Sequence, residues 1–224
     1  LRVLISDALD YDEAEQALLG QWLLAGYTEQ PPLYTWLQYG LFKLFGKGVF
    51  AISLLKNSLL YLTYVFVCLS SREVLQNERL AVLATASLLL IPQIGWESQR
   101  DMTHTTLVVC SAAATLWVTF RLVRQPGFLG YCMLGICLGV GVLAKANFAI
   151  FAAILACCLL SFKRGRKVIC SPQIFATLLI FAIMTGNYLI WMYNNQDILF
   201  SSTHKFNRAV ENAYLIGSSS LIKN

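Results

Sequence analysis

The chain has 224 residues, of which 57% are hydrophobic and only 13% are charged, and its formal net charge is +5. Soluble domains contain about 25% charged and about 45–50% apolar residues, so this composition excludes an ordinary soluble domain and indicates an integral membrane protein. The net charge by itself indicates no partner, because the placement of charge along the chain is what orients a membrane protein.

An acidic stretch near the start, Asp7–Leu37, holds six of the twelve acids and no Lys, Arg or His. Residues 12–26 within it predict a short amphipathic helix, because apolar residues such as Ala17, Leu18 and Trp22 recur at helical spacing. This helix is too short and too charged to span a bilayer, so we expect it to lie flat on the membrane surface.

Capping residues mark the ends of this first helix. Asp10 is placed to cap its start, with Glu13 three residues further on as the second half of a capping box. Acids in the first turn also suit the positive end of the helix dipole. Gly26 is expected to end the helix.

A second helix, rich in aromatic residues, follows a proline pair. Gln30 precedes a proline and is therefore expected to be extended. The Pro31–Pro32 pair begins the helix, since proline is tolerated in a first turn. We expect the helix to end at Gly46 or Gly48.

Six apolar segments follow, and they predict an all-α fold, a polytopic bundle of membrane helices. The fourth and fifth segments cannot form one helix, because about 35 residues at about 1.5 Å each would reach about 52 Å across a core of about 30 Å. We place the break at residues 145–147. The predicted spans are residues 49–71, 80–96, 105–123, 128–144, 148–162 and 172–193.

Two features inside the predicted spans are unusual. Gly135, Gly139 and Gly141 form a small-residue face, which we expect to serve close helix packing rather than ligand binding. Lys56 is the one basic residue inside a predicted span, and we expect it either to snorkel to the surface or to pair with an acid.

In this predicted topology, basic and acidic residues lie on opposite sides of the membrane. One side carries eight basic residues in three short loops, which the positive-inside rule places in the cytoplasm, including the Lys163–Lys167 loop. The other side carries ten of the twelve acids, so residues 1–48 are predicted to be extracytoplasmic. The chain thus divides into an outer loop (1–48), a transmembrane bundle (49–193) and a truncated outer loop (194–224). Because Leu1 is not a Met, we expect a longer protein with spans before Leu1 and after Asn224.

Carboxylates mixed with a few cations on the outer side suit group transfer. A carboxylate can take the proton of an acceptor hydroxyl, while Lys or Arg holds a phosphate leaving group. The alternative is that these are ordinary solvated loop residues and helix caps. Asp10 and Asp12 have the spacing of a pair that holds a divalent cation, although such pairs also occur by chance. Likewise, His104 and His204 are either ligands or plain loop residues, and Lys145 is either functional or snorkelling at a span end.

The acidic stretch resembles a known family. Asp12-Glu13, followed by the segment EQPPLY that starts at Glu29, resembles the first outer loop of the GT-C glycosyltransferases. The bacterial branch with the lipid A aminoarabinose transferase and relatives of the protein O-mannosyltransferases is the most similar. Later, ESQRDMTHTTL (97–107) and GVGVLAKANFAIF (139–151) resemble that family's second outer loop and its lysine motif.

This resemblance implies an inverting transferase in the inner membrane. It would move a sugar from a polyprenyl-phosphate donor to an envelope lipid, glycan or protein acceptor at the outer face, and the branch includes uronic-acid transferases. The implied partners are the donor, the acceptor and membrane lipids, with no nucleic acid. One alternative is a transporter or flippase of lipid-linked sugars, which would need ionisable groups deep within the spans. Another is a non-catalytic membrane scaffold.

The resemblance also implies roles for individual residues. Asp12 is the expected general base, with Glu13 and Asp10 orienting it or holding a divalent cation, and Glu29 contacting the sugar or the acceptor. Many relatives have Lys at the position of Gln30, so here Lys145 and Arg100 would hold the donor phosphate. Tyr27, Tyr34 and Trp36 either stack on the sugar or anchor the chain at the interface. The expected substrate-binding residues are Asp10, Gln30, Tyr34, His104 and Lys205.

Overall fold

The computed structural model describes residues 9–27, 30–98 and 102–199. These residues form helices joined by short turns and contain no strand, which confirms the predicted all-α class. We number the α-helices in chain order as follows: α1 Tyr11–Leu19, α2 Leu33–Phe45, α3 Val49–Leu75, α4 Glu78–Ala86, α5 Thr103–Arg124, α6 Phe128–Ala144, α7 Phe148–Leu160, α8 Lys163–Ile169, α9 Ile174–Asn194 and α10 Gln196–Leu199.

Three of the described helices, α3, α5 and α9, are long and apolar enough to cross a membrane. Two more, α6 and α7, are apolar but shorter. Helix α6 has the bounds expected from the sequence, and the break between α6 and α7 falls at Lys145–Asn147 as expected. The first, third and fourth predicted spans therefore lie wholly in helices, whereas the fifth extends two residues beyond the end of α7 and the sixth begins two residues before α9.

The second predicted span, residues 80–96, is not one continuous helix. Helix α4 ends at Ala86, a 3₁₀ segment covers Ser87–Leu90, and a π-helical segment covers Gln93–Glu97. Pro92 explains the break, because its ring cannot donate a backbone hydrogen bond and biases Ile91 before it towards extended geometry. Ile91 has φ −89° and ψ 110°, as this bias requires.

Helix α1 is shorter than residues 12–26, and its buried face is not the predicted apolar one. Its fully buried side chains are Glu13 and Gln16, whereas Leu18 and Trp22 are 58% and 54% exposed. The predicted capping box is present, and the Asp10 N–H donates to Glu13 Oε2 at 3.4 Å. The apolar spacing was therefore a correct sign of a helix but a wrong guide to its packing.

The turn after α1 is held by aromatic side chains. The Tyr27 hydroxyl donates to the Trp22 carbonyl at 2.6 Å, and Trp36 Nε1 donates to the Leu24 carbonyl at 2.7 Å. These bonds stabilise an irregular segment where the sequence predicted more helix. Tyr27 and Trp36 thus have structural partners in addition to any contact with a sugar.

Helix α2 begins and ends close to the predicted residues. Pro32 is its N-terminal cap, and the helix ends at Phe45 before Gly46. Gly46 has φ +81°, which lies in the region that only glycine adopts at little cost. Of the two predicted stops, Gly46 and Gly48, Gly46 is the one observed.

The predicted close packing along the glycine face of α6 is confirmed. A Cβ at Gly135 would lie 2.7 Å from the Thr177 carbonyl oxygen, and one at Gly139 would lie 3.0 Å from Met184 Sδ. Helices α6 and α9 therefore approach each other too closely for side chains at these positions. A Cβ at Gly141 would clash with the Phe148 ring, so this glycine serves the α6–α7 turn.

The long helices pack along their lengths, and the two ends of the bundle differ in the polar contacts that they hold. At one end, which we call the acidic end, α1 and α2 meet the first turns of α3 and α5, the end of α6 and the end of α9, where Gly26 lies against the Trp191 ring. At the opposite end, the basic end, Arg124 pairs with Glu73, and the Tyr131 hydroxyl donates to the Val168 carbonyl. The first predicted loop and residues 102–105 and 145 are thus brought together in space.

Candidate active site

An ion pair that joins α1 to α3 lies at the centre of the acidic end. Glu13 Oε1 and Lys56 Nζ are 2.6 Å apart, and both side chains are only 1% exposed. Lys56 lies seven residues after Val49, or about 10 Å along the helix axis. Of the two fates predicted for Lys56, pairing is the one observed, and Glu13 is its partner.

A second polar contact follows one helical turn later. Gln16 Nε2 lies 3.1 Å from His104 Nε2, and the Thr35 hydroxyl donates to Gln16 Oε1 at 2.9 Å. Because Gln16 uses its oxygen to accept from Thr35, its nitrogen is left to donate to His104. His104 therefore accepts at Nε2, which makes it a neutral imidazole with its proton on Nδ1. Through Gln16, α1 is tied to both α2 and α5.

Tyr34 lies inside the bundle. Its ring centre is 5.3 Å from that of His104, and it is fully buried in a core cluster with Leu55, Leu107 and Ala144. Burial, followed by the nearby negative charges of Glu13 and Asp12, raises the pKa of the Tyr34 phenol, so it remains protonated at neutral pH. The ring thus has no open face for stacking in this structure.

Several buried polar atoms at the acidic end lack a hydrogen-bond partner among the described residues. They are the Tyr34 hydroxyl, both amide atoms of Gln38 and His104 Nδ1. Leaving a buried polar group unpaired costs about 1–3 kcal/mol, so such atoms are uncommon unless water or a ligand satisfies them. The acidic end therefore holds hydrogen-bonding capacity that the described residues do not use.

The carboxylates around the ion pair are half-buried. Asp10 and Asp12 flank Glu13, and Glu15 lies three residues after Asp12 on the same side of α1. Asp12 is thus beside the buried pair yet partly open, as the predicted general base needs to be. The described residues contain no group of three or more His, Cys, Asp or Glu side chains arranged to hold a metal ion. A divalent cation at Asp10 and Asp12 stays a prediction.

Lys145 lies at the acidic end, directly after α6. Its Nζ donates to the Thr105 hydroxyl at 3.1 Å, and its side chain is partly buried. Thr105 follows His104 in α5, so the lysine is next to the network around Gln16. Gln30, also half-buried, lies in the segment before α2.

Of the ten predicted site residues, the structure describes seven and leaves three outside the described residues. The seven are Asp10, Asp12 and Glu13 around the start of α1, Gln30 in the segment before α2, and Tyr34, His104 and Lys145. The predicted residues Glu29, Arg100 and Lys205, and also His204, lie outside the described residues.

The sequence reasoning missed four buried polar residues of the site: Gln16, Thr35, Gln38 and, as a member of the site, Lys56. Lys56 gave a signal, because an ionisable residue inside a span points to function and to a partner. The three others gave none, since polar residues on short helices are normally expected to face solvent.

Comparison with protein families shows which family this chain belongs to. Residues 29–191 match the family described as dolichyl-phosphate-mannose-protein mannosyltransferase. The chain belongs to this family. It is a family of GT-C glycosyltransferases, as the resemblance of the acidic stretch predicted, and the apolar helices make this member a multi-pass membrane protein. The match begins after α1, so Asp12 and Glu13 precede the part of the chain that the family model covers.

Two similar proteins are named lipopolysaccharide core galacturonosyltransferases, RgtB and RgtA of Rhizobium johnstonii. RgtB is 41% identical over 203 residues and RgtA is 32% identical over 203 residues, in each case 91% of this chain. The chain spans 41% of the length of each of these two relatives. No solved structure matches the chain.

Proposed function

We propose that this protein transfers a sugar from a polyprenyl-phosphate donor to an envelope lipid or glycan at the outer face of the inner membrane. The observation that carries the proposal is the place of Asp12. It is half-buried on α1, beside an ion pair that fixes α1 to a membrane helix, and Lys145 lies at the same end of the bundle. Membership of the mannosyltransferase family supports the same reaction class.

The proposed reaction is a single displacement. Asp12 takes the proton of the acceptor hydroxyl, and the hydroxyl oxygen forms a bond to the anomeric carbon. The bond from that carbon to the phosphate oxygen breaks, so polyprenyl phosphate leaves and the anomeric configuration inverts. Lys145, together with Arg100, holds the phosphate as its negative charge grows.

The contacts to the substrates are also part of the proposal. Asp10 and Glu29 orient the acceptor and the sugar, or Asp10 shares a divalent cation with Asp12. Among the described residues, neither His104 Nδ1 nor the Tyr34 hydroxyl has a side-chain hydrogen-bond partner, and both donate to sugar oxygens in a site that opens on binding. Gln30 and Lys205 complete the proposed substrate contacts.

The names of the two relatives narrow the proposal. Since both are called lipopolysaccharide core galacturonosyltransferases, we propose galacturonic acid as the sugar and a lipopolysaccharide core as the acceptor. A uronic acid carries a carboxylate that suits a cationic partner. The orientation that accompanies this proposal has residues 1–48 outside and the basic residues Lys163–Lys167 in the cytoplasm, and these basic residues lie in helix α8 rather than in the predicted loop.

The test is a transfer assay in membranes that contain the protein. Polyprenyl-phosphate galacturonic acid is supplied with a lipopolysaccharide core acceptor, and polyprenyl-phosphate mannose serves as the competing donor. Asp12→Asn should lower turnover about 100-fold or more, the range that a lost general base gives. Glu78→Gln at the basic end is the matched control and should transfer normally.

Three results would contradict the proposal. Normal turnover by Asp12→Asn would show that Asp12 is not the general base. Preference for the mannose donor would show that the transferred sugar is not a uronic acid. Movement of the donor across vesicles without any transfer favours a transporter instead.

A further inference from the structure

We infer that Lys56 is a positioning residue for the transfer reaction, because its ion pair with Glu13 sets the place of α1 and, with it, the Asp12 carboxylate. This inference rests on the proposed function, in which Asp12 takes the proton of the acceptor. No role was expected for Lys56 from the sequence beyond snorkelling or pairing. It touches no reacting atom and acts through Glu13.

Helix α1 cannot hold its own position. It has nine residues, and isolated helices shorter than about 12–15 residues are marginal in water. Its large apolar neighbours Leu18 and Trp22 face outward, and its apolar packing on α2 and α3 comes from Ala17 and the preceding Leu9. Glu13 and Gln16 make buried polar contacts that attach the helix to α2, α3 and α5.

The two attachment points fix α1 in different directions. Glu13 and Gln16 lie one turn apart on the same face, so they define the rotation of the helix about its axis. Glu13 bonds to Lys56 of α3, whereas Gln16 bonds to Thr35 of α2 and His104 of α5. Moving either point would turn the flank of α1 that carries Asp12.

The Glu13 carboxylate joins the start of α1 to the membrane helix. Its Oε1 accepts from Lys56 at 2.6 Å, while its Oε2 accepts from the Asp10 N–H at 3.4 Å. The same group thus closes the capping box and forms the ion pair. Asp12 lies between Asp10 and Glu13 along the chain, so its backbone position is linked through Glu13 to Lys56.

Stability alone does not explain this pair. A buried ion pair gives little net stability relative to apolar residues of the same size, because both charges lose their hydration. A lysine inside a membrane helix is also disfavoured, and the Lys56 side chain is buried against Glu13 rather than exposed. A general base, in contrast, must be placed within a fraction of an ångström of the productive geometry.

Two variants separate positioning from stability. Lys56→Arg keeps the charge but changes the length and shape of the head group. The double variant Glu13→Gln with Lys56→Met removes both charges at nearly constant volume. Lys47→Met, which removes an exposed lysine at the same end of the bundle, is the matched control.

The first measurement is transfer kinetics in membranes that contain the protein, with polyprenyl-phosphate galacturonic acid as donor. In both test variants kcat should fall about 100-fold, as expected for a misplaced catalytic group, while the donor KM stays within about threefold. Lys47→Met should match the wild type. If both test variants keep kcat within about threefold of the wild type, the inference is wrong.

The second measurement is amide hydrogen exchange, which needs no activity. In the double variant, exchange in Tyr11–Leu19 should accelerate about tenfold or more, while exchange in α5 is unchanged. An equal acceleration in α5 would mean that the pair serves the whole fold, which would overturn the inference. If the wild type transfers no sugar but α1 alone loosens, the proposed function fails while the anchoring of α1 by Lys56 stands.

Discussion

At the acidic end Glu13 and Lys56 form an ion pair, and each of the two side chains is 1% exposed. At the basic end Arg72 and Glu78 form an ion pair, and their side chains are 50% and 83% exposed. The separations are similar, 2.6 Å and 2.9 Å, so the surroundings rather than the distance distinguish the pairs. Removing one partner of a buried pair leaves an uncompensated charge, while an exposed ion regains water. Short separations therefore say little about energy until burial is known.

The two ends differ in the number of buried polar groups, although each contains a buried apolar cluster. At the acidic end Gln16, Thr35, Gln38 and His104 are buried, and among the described residues the Tyr34 hydroxyl, both amide atoms of Gln38 and His104 Nδ1 lack a hydrogen-bond partner. At the basic end the Ser70 and Thr119 hydroxyls also lack a partner among the described residues, beside a core cluster of Val118, Leu122, Tyr131, Leu134 and Val168. Unsatisfied polar groups gathered next to titratable side chains, as at the acidic end, are typical of a site that binds something.

The largest expected effect is the loss of one member of the buried pair. Glu13→Gln alone should lower the free energy of unfolding by about 3–5 kcal/mol, because Lys56 would remain buried without its counter-ion. Thermal unfolding in detergent measures this effect. The double variant Glu13→Gln with Lys56→Met should recover most of the loss. A single variant as stable as the wild type would show that water reaches Lys56.

A smaller effect is expected from closing the gap between α6 and α9. Gly135→Ala should lower the free energy of unfolding by about 1–3 kcal/mol, because its Cβ would meet the Thr177 carbonyl oxygen. Gly186→Ala in α9 is the matched control, since a Cβ there meets nothing within 4 Å. The control should be neutral or slightly stabilising. Equal losses in both variants would contradict the close packing.

Tyr34→Phe should raise the free energy of unfolding by about 1 kcal/mol at neutral pH, because it removes a buried hydroxyl that has no partner among the described residues. Above pH 10 a second effect adds to this gain. Because folding raises the Tyr34 pKa, the stability it contributes is present below the ordinary pKa of about 10 and is lost as pH rises. Tyr34→Phe should therefore weaken the alkaline loss of stability.

The decisive readouts for Tyr34→Phe are the alkaline limb of thermal stability and the donor KM. A higher KM at neutral pH would indicate that the hydroxyl binds the sugar, as predicted. An alkaline limb identical to that of the wild type would contradict the buried position of the phenol.

The smallest effect is expected at the exposed pair of the basic end. Arg72→Gln should lower the free energy of unfolding by less than about 1 kcal/mol, and added salt should reduce the difference further. Thermal unfolding at low and high ionic strength measures both quantities. A loss as large as that of Glu13→Gln would remove the contrast between the two ends.

Much of the fold could be predicted because its signals are local. Helix α6 has the predicted bounds, the stop at Gly46 was read from a glycine, and the capping box from Asp10 and Glu13. Apolar length, glycine and capping patterns act within a few residues of themselves, so a sequence shows them directly. Pro92 was visible as well, but its effect on residues 80–96 was underestimated.

The candidate site was only partly predictable for the same reason. Asp12, Glu13 and Lys145 were recognised through their motifs, and the structure places them at one end of the bundle. The partners of Gln16, however, come from α2 and α5, 19 and 88 residues away in the chain. The spacing of apolar residues along the sequence contains no information on such contacts between distant helices. On α1 this spacing predicted that the apolar face is buried, whereas Glu13 and Gln16 are the buried residues.

The sequence by itself determined that this protein is a helical membrane protein of the mannosyltransferase family, with an acidic stretch before its spans. Hydrophobic length and short motifs carry that information without any knowledge of packing. Only the tertiary structure decided that Glu13 turns inward to Lys56 while Asp12 stays half-open. That choice depends on which buried charge can find a counter-ion across helices, and this is a property of three-dimensional neighbours.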